Sequence, residues 1–293
     1  MKYLKFSVIS LIIVSCLFLC PSCGTKPKTV EKIDIDLVEL DLDVNSIFRN
    51  IGSETLYAMP TPIEASMLIK NWGIPQPELL NEPANASKYL TKKKMAVNFG
   101  VYMTDLSLAG IYGQTQTVLR YKQAMQQLVE GLGLQSAVDR KLAQQIEDNI
   151  NNKNELMKII SDIYASSTKF LSEDNRDFYA LAILSGGWVE GMYIATNMID
   201  ETQSANVSKM KQVIEENKQT FDLLWQALGE LDIIPEDAVY LMLDMSYVAH
   251  LFGHQTLLSV PQSTSIQNTQ RFFTELKEHI QVLRHQFTKL TGQ

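Results

Sequence analysis

Cysteine is absent from almost the whole chain. The three cysteines, Cys16, Cys20 and Cys23, all lie within the first 23 of 293 residues. The rest of the chain can therefore form no disulfide, and its stability must come from its core alone. The remaining length, about 270 residues, is enough to build one large hydrophobic core.

An excess of basic side chains is also missing. The chain has 26 Lys and Arg residues against 33 Asp and Glu residues, which gives a formal net charge of −7 at pH 7. Because such a surface repels phosphate backbones, no nucleic-acid partner is predicted. The sequence contains no phosphate-binding loop, no dinucleotide fingerprint and no nucleophile elbow, so it predicts no cofactor and identifies no catalysis.

The N-terminal residues have the three-part organisation of a secretory signal. Lys2 and Lys5 are positively charged, and residues 8–19 form an apolar segment that is too short to span a bilayer. Ser22, Cys23 and Gly24 follow, and this stretch resembles the lipobox of bacterial lipoproteins.

The resemblance implies that residues 1–22 are a cleaved signal peptide and that the Cys23 thiol is acylated, for example with palmitate. A lipid on Cys23 would make the membrane a partner of this protein. Gly24, where an Asp would retain such proteins in the inner membrane, implies the outer membrane, with the periplasmic or surface side left open. Cys16 is an alternative acylation site, but Cys23 leaves a full apolar segment ahead of it.

Residues 23–45 are predicted to form an acidic extended tether. Apolar and acidic residues alternate between Ile33 and Val44, at the two-residue period of a strand. No other part of the chain offers a convincing partner strand, so we expect a surface tether rather than a sheet. Residues 46–293 are then predicted to form a single helical domain.

Four segments carry apolar residues at alternating steps of three and four. They are residues 118–132, 156–170, 207–231 and 266–290, and each places an apolar stripe on one face of a helix. Their opposite faces are polar. We expect these helices to form the outer layer of the domain.

Three other segments are apolar on nearly all sides and contain one acidic residue each. Residues 95–119 contain only Asp105, residues 178–199 only Glu190, and residues 238–270 only Asp244. Helices without a polar face are buried helices. Each segment also carries two small residues four apart, which would let helix backbones approach closely; these are Ala109 and Gly113, Gly187 and Gly191, and Ala249 and Gly253. The predicted fold is therefore all-α, a bundle of eight or nine helices with three buried central helices.

The candidate site combines the buried acidic residues with two histidines. His250 and His254 are predicted to lie one turn apart on one helix, a geometry that can hold a metal. The zinc-protease motif would require Glu after the first histidine, and the chain has Leu251 instead. Glu190 or Asp105 could supply a third ligand from a neighbouring helix. The alternative is that all four residues are hydrogen-bonded groups of the core.

The residues Asn98 to Ser107 and Tyr112 to Gln116 resemble stretches of uncharacterised helical lipoproteins from Gram-negative gut bacteria. The resemblance covers residues 84–134, and it implies a location and a fold without implying an activity.

The sequence as a whole leaves two function classes. The favoured one is a lipid-anchored envelope protein with a binding or scaffold role, whose partner is a protein or a small apolar ligand. The alternative is a metal-assisted hydrolase or oxidase that uses His250, His254, Glu190 and Asp105.

Overall fold

Helices make up about 79% of the chain that the computed structural model describes, namely residues 69, 75–138, 140–232, 234–256 and 269–290. These residues form eight α-helices and contain no strand. The helices are α1 (Lys92–Ile111), α2 (Thr115–Leu132), α3 (Arg140–Asp148), α4 (Lys153–Glu173), α5 (Asp177–Asn197), α6 (Val207–Gly229), α7 (Glu236–Leu251) and α8 (Thr269–Thr288). Short 3-10 turns span Pro77–Leu79, Pro83–Lys88 and Ser204–Asn206. The predicted all-α bundle is confirmed.

Helices α1 and α5 form the centre of the bundle. Every residue of α1 from Ala96 onward is buried, and so is nearly all of α5. The two helices touch through their backbones. A Cβ atom on Gly100 would lie 1.9 Å from the Ile183 carbonyl oxygen, and a Cβ atom on Gly186 would lie 1.8 Å from that of Val97. Only glycine therefore fits at these two positions.

The close approach includes Gly187, as expected, since a Cβ atom on Gly100 would lie 2.7 Å from the Gly187 backbone nitrogen, but two of the other expected glycines have a different role. Gly113 and Gly253 have φ values of +68° and +91° and lie just after α1 and α7, where they let the chain leave the helix in the left-handed region. Gly113 also divides the predicted segment 95–119, since α1 ends at Ile111 and α2 begins at Thr115. The spacing of small residues along the sequence does not distinguish a glycine that packs against a neighbouring helix from one that ends its own helix.

Helix α7, the third of the predicted central helices, is less enclosed than the other two. Half of its residues are buried, and Tyr240 remains 37% exposed. The predicted apolar segment 238–270 also extends beyond the end of α7 at Leu251, and residues 257–268 lie outside the described part of the chain.

The four predicted outer helices place their apolar stripes against the core. The stripe residues of α2 are all buried, as are most of those in α4, α6 and α8. Side chains cap two helix starts: Thr91 accepts the Lys94 N–H at the start of α1, and Asn152 accepts the Glu155 N–H at the start of α4. The three-and-four spacing therefore predicted the buried faces correctly.

One described helix, α5, is long and apolar enough to cross a membrane. However, 89% of its apolar window is buried inside the protein, as in the core helix of a bundle. The described residues belong to one compact unit, Leu42–Gln293. The predicted signal peptide (1–22), the tether (23–45) and Cys23 lie outside the described residues.

Candidate functional site

Glu190 forms an ion pair with Arg284 of α8. It is the single acidic residue of the predicted buried segment 178–199. The Arg284 Nε and Nη2 atoms each lie 3.0 Å from a Glu190 carboxylate oxygen. The Glu190 side chain is fully buried and that of Arg284 is 15% exposed. The guanidinium also donates to the Leu79 carbonyl at 3.2 Å and lies over the Tyr193 ring at 4.6 Å. The Arg284 guanidinium thus neutralises the buried Glu190 carboxylate through two hydrogen bonds.

Asp105 of α1 lies against this ion pair. Its Oδ2 accepts the Asn81 backbone N–H at 3.0 Å, whereas no donor among the described residues reaches Oδ1. Burial raises the pKa of Asp105 well above its ordinary value; the nearby Glu190 raises it further, and Arg284 lowers it. Two carboxylates that face one guanidinium in a dry site cannot both be ionised at low cost. Burial beside Glu190 therefore favours the protonated form of Asp105. Burial also raises the pKa of Glu190, against the opposing effects of Arg284 and of Asp105.

A set of neutral hydrogen bonds surrounds Asp105, Glu190 and Arg284 and holds the chain before α1. We call residues 79–89 the clasp segment. The Tyr121 hydroxyl donates to the Asn81 carbonyl at 2.8 Å, and the Tyr102 hydroxyl donates to the Glu82 carbonyl at 2.9 Å. Burial raises the pKa of both tyrosines, so both keep their hydroxyl protons.

The clasp segment also reaches the C-terminal end of α8. The Asn81 side-chain amide donates to Tyr89 at 3.0 Å and to Asn98 at 3.1 Å. Asn98 donates in turn to the Phe287 carbonyl at 2.9 Å, and Tyr89 donates to the Thr288 carbonyl at 3.3 Å. These bonds satisfy buried backbone groups that no regular helix would pair.

The two histidines do not share a helix face. Helix α7 ends at Leu251, and the left-handed turn at Gly253 carries His254 away from the helix. The helical spacing on which the metal hypothesis depended therefore does not hold. Among the described residues, no group of three or more His, Cys, Asp or Glu side chains could hold a metal ion.

His254 instead pairs with Asp222 of α6. Its Nε2 lies 2.6 Å from Asp222 Oδ1, and Lys218 binds the same carboxylate at 2.7 Å and 2.8 Å. The rings of Phe221 and Trp225 lie 6.0 Å and 6.3 Å from the imidazole. The result is a partly exposed polar group on an aromatic surface.

Asp105, Glu190 and Arg284, which we call the acidic cluster, lie on a different side of α5 from the His254 group. Trp188 contacts Phe221 at 4.9 Å and donates to the Asn217 carbonyl, so it faces α6. Glu190 follows two residues later, about 200° around the helix, and faces α8. The structure thus brings Asp105 and Glu190 together but places His254 elsewhere.

A groove lies between α2, α3 and the loop that joins them. It has a volume of about 870 Å³. Its apolar lining comes from six residues: Met125, Val129, Val138, Ala143, Ile146 and Ile163. Its polar lining comes from Lys122, Gln126, Glu130, Gln135, Arg140 and Gln144. We call this feature the α2–α3 groove.

Comparisons with known proteins found no matching protein family, no matching curated protein and no matching solved structure.

Sequence reasoning missed two features of the site, Arg284 and the groove. A signal for Arg284 was present, because it follows Ile280 by four residues and precedes Phe287 by three. It therefore occupies a position on the apolar face of α8. A charged residue at such a position requires a buried partner, which here is Glu190. No comparable pattern marks the groove, since it forms only where α2 and α3 meet.

Proposed function

We propose that this chain is a lipid-anchored protein of the bacterial cell envelope with a binding role, and that the α2–α3 groove binds a small apolar ligand. The lipobox-like residues Ser22, Cys23 and Gly24 support the anchor. The groove is the observation that carries the binding role.

The volume of the groove suits a small molecule. Binding sites for small molecules commonly have volumes of roughly 300–1,000 Å³ and a mostly apolar lining with a few polar groups. The α2–α3 groove, at about 870 Å³, lies within that range of volumes, and six of its twelve lining residues are apolar. Its six apolar residues come from α2, α3, α4 and the loop before α3, so a ligand there would contact several elements at once.

The charges around the groove favour an uncharged ligand. Lys122 is already paired with Glu147 at 2.5 Å. The other two charged lining residues, Arg140 and Glu130, have opposite signs. Since the rim has almost no net charge, selectivity for a charged ligand has little support.

The acidic cluster, in contrast, supports a structural role. The Asp105 and Glu190 side chains are fully buried, and their hydrogen-bond partners are Asn81 and Arg284. A catalytic acid must reach the proton it transfers in a bound substrate. We therefore place the ligand in the groove and not at this cluster.

Binding of the neutral dye Nile red to the purified full chain tests the groove. Val138→Asp puts a charge into the apolar lining, and Val282→Asp makes the same change on α8, where Val282 is 50% exposed. We expect the dye fluorescence to rise with the wild type and with Val282→Asp, and binding to weaken about tenfold or more with Val138→Asp. Equal binding by all three proteins, or none by the wild type, would contradict the groove as the binding site.

The anchor is tested separately by cell fractionation of Cys23→Ser and Cys16→Ser variants. We expect the Cys23→Ser protein to lose its acyl group and leave the membrane fraction, and the Cys16→Ser protein to remain there. Mass spectrometry of the N-terminal peptide identifies the acylated cysteine. An acyl group on Cys16 in the Cys23→Ser protein would show that Cys16 is the anchor. A wild-type protein without any acyl group would contradict the lipid anchor altogether.

A further inference from the structure

The clasp segment is attached to the bundle at one end through Arg284 and Asp105. The Leu79 carbonyl accepts from Arg284, and the Asn81 N–H donates to Asp105. The further contacts of the segment, through Tyr121, Tyr102 and Asn98, are neutral. Docking of this segment therefore depends on how charge is distributed between Asp105, Glu190 and Arg284.

The titratable and charged groups near Asp105 come from every element packed around it. Tyr102 on α1, Tyr121 on α2, Glu190 on α5 and Arg284 on α8 face it, and Tyr89 and Glu82 of the clasp segment lie next to Tyr102. Burial raises the pKa of all three tyrosines, so they stay neutral. The guanidinium of Arg284 keeps its charge throughout. The buried proton whose loss changes the charge beside Arg284 is therefore that of the carboxyl pair, Asp105 and Glu190.

We propose that the clasp segment is held by a proton-dependent lock, in which one proton shared by Asp105 and Glu190 keeps residues 79–89 docked and its removal loosens them. With the proton present, Glu190 and Arg284 neutralise each other and Asp105 is uncharged. When the proton leaves, two buried carboxylates compete for one guanidinium and repel each other. The contacts of Arg284 with Leu79 and of Asp105 with Asn81 are then under strain, since relief requires either carboxylate to move toward water.

The pH direction follows from the raised pKa of Asp105. A carboxyl group whose pKa is higher in the folded than in the unfolded state stabilises the fold at low pH, and that contribution is lost as pH rises through the folded pKa. The lock therefore holds in acid and weakens in alkali. This inference does not depend on the lipid anchor or on the groove.

Hydrogen–deuterium exchange of the purified full chain tests the lock. The amides of Asn81 and Tyr89, corrected for the pH dependence of the chemical exchange rate, report on the clasp segment, and the amide of Leu224 in α6 serves as an internal reference. In the wild type we expect protection of the clasp amides to fall as the pH rises from 6 to 9.5, by up to about tenfold for each pH unit below the raised pKa of docked Asp105, and to level off above that pKa, while the reference is unchanged.

Asp105→Asn is the decisive variant. Its amide can donate to Glu190 and accept from Asn81 as the protonated acid does, but it has no proton to lose. We expect the clasp amides of this variant to keep the same protection at both pH values. If Asp105→Asn fails to fold, Glu190→Gln replaces it, because a single carboxylate beside Arg284 has no proton to share. Clasp protection that is independent of pH in the wild type, or equally dependent on pH in the folded variant, would overturn the proposal.

Discussion

At the scale of single residues, surroundings decide how each buried carboxylate behaves. Glu190 has a guanidinium partner at 3.0 Å, whereas Asp244 on α7 has only the nearby charges of Lys93 and Lys94. Those lysines lower the pKa of Asp244, but burial has the larger effect and raises it to about 6. The cost of burial thus exceeds the attraction of two cations that lie close to water.

This balance predicts that Asp244→Asn stabilises the protein at neutral and alkaline pH. The folded-state pKa of Asp244 is about 6, above the ordinary value of 3.8, so the stabilising contribution of the protonated side chain is lost as pH rises between these values. Above pH 6 we expect the variant to be more stable than the wild type by at most about 3 kcal/mol, and near pH 4 by much less. Urea unfolding at pH 4 and pH 8 measures both differences.

Asp237→Asn on the same helix is the matched control, because the Asp237 side chain is 45% exposed. It should change stability slightly and equally at the two pH values. A stabilisation by Asp244→Asn of the same size at pH 4 and pH 8 would contradict the role assigned to burial.

At the scale of elements, the crossing of α1 and α5 organises the bundle. The Thr104 hydroxyl donates across this contact to the Gly187 carbonyl at 3.2 Å, next to the crossing at Gly100 and Gly186. A hydroxyl can reach a carbonyl of the neighbouring helix only when the two backbones lie this close together. The same crossing brings Asp105 on α1 and Glu190 on α5 into one cluster.

Gly100→Ala is predicted to destabilise the protein by about 3 kcal/mol or more, because the added methyl group meets backbone atoms that cannot move without separating the two helices. Gly131→Ala in α2 is the control, since its methyl group would meet only the flexible end of the Met95 side chain. It should be neutral within about 1 kcal/mol, as alanine favours helix more than glycine does. Thermal unfolding of both variants tests this, and equal losses would show that the crossing is not the cause.

At the scale of the whole molecule, Arg284 joins parts of the chain that are far apart in sequence. It contacts Leu79 before the first long helix, Glu190 in the central helix α5, and Tyr193 one turn further along. The last described helix is therefore connected to the first described segment through one buried side chain.

Arg284→Met should lower the free energy of unfolding by about 3–5 kcal/mol, because it leaves the Glu190 carboxylate buried without its partner. Lys211→Met provides a comparison, since Lys211 and its partner Glu215 are both more than 60% exposed. Its effect should be under about 0.5 kcal/mol. Denaturant unfolding followed by circular dichroism compares the two variants, and a similar small loss in both would argue against the ion pair as a link between the two ends of the described chain.

The sequence by itself determined the fold class and the buried faces of the outer helices. Residues such as Leu128, Ile160 and Phe273 repeat at helical spacing, and each is buried where its stripe predicts. It also marked Asp105 and Glu190 as unusual, because an ionisable group in an apolar helix needs a partner. These inferences succeed because helical periodicity and the cost of burying charge act locally, within a single element.

Tertiary structure alone decided which partner each of these groups meets. That Arg284 pairs with Glu190, that Gly100 packs while Gly113 ends a helix, and that His254 turns away toward Asp222 all depend on where distant segments lie. The groove between α2 and α3 likewise belongs to no single segment. Spacing along one helix defines a face, but contacts between helices depend on crossing geometry, which arises only when the whole core is packed.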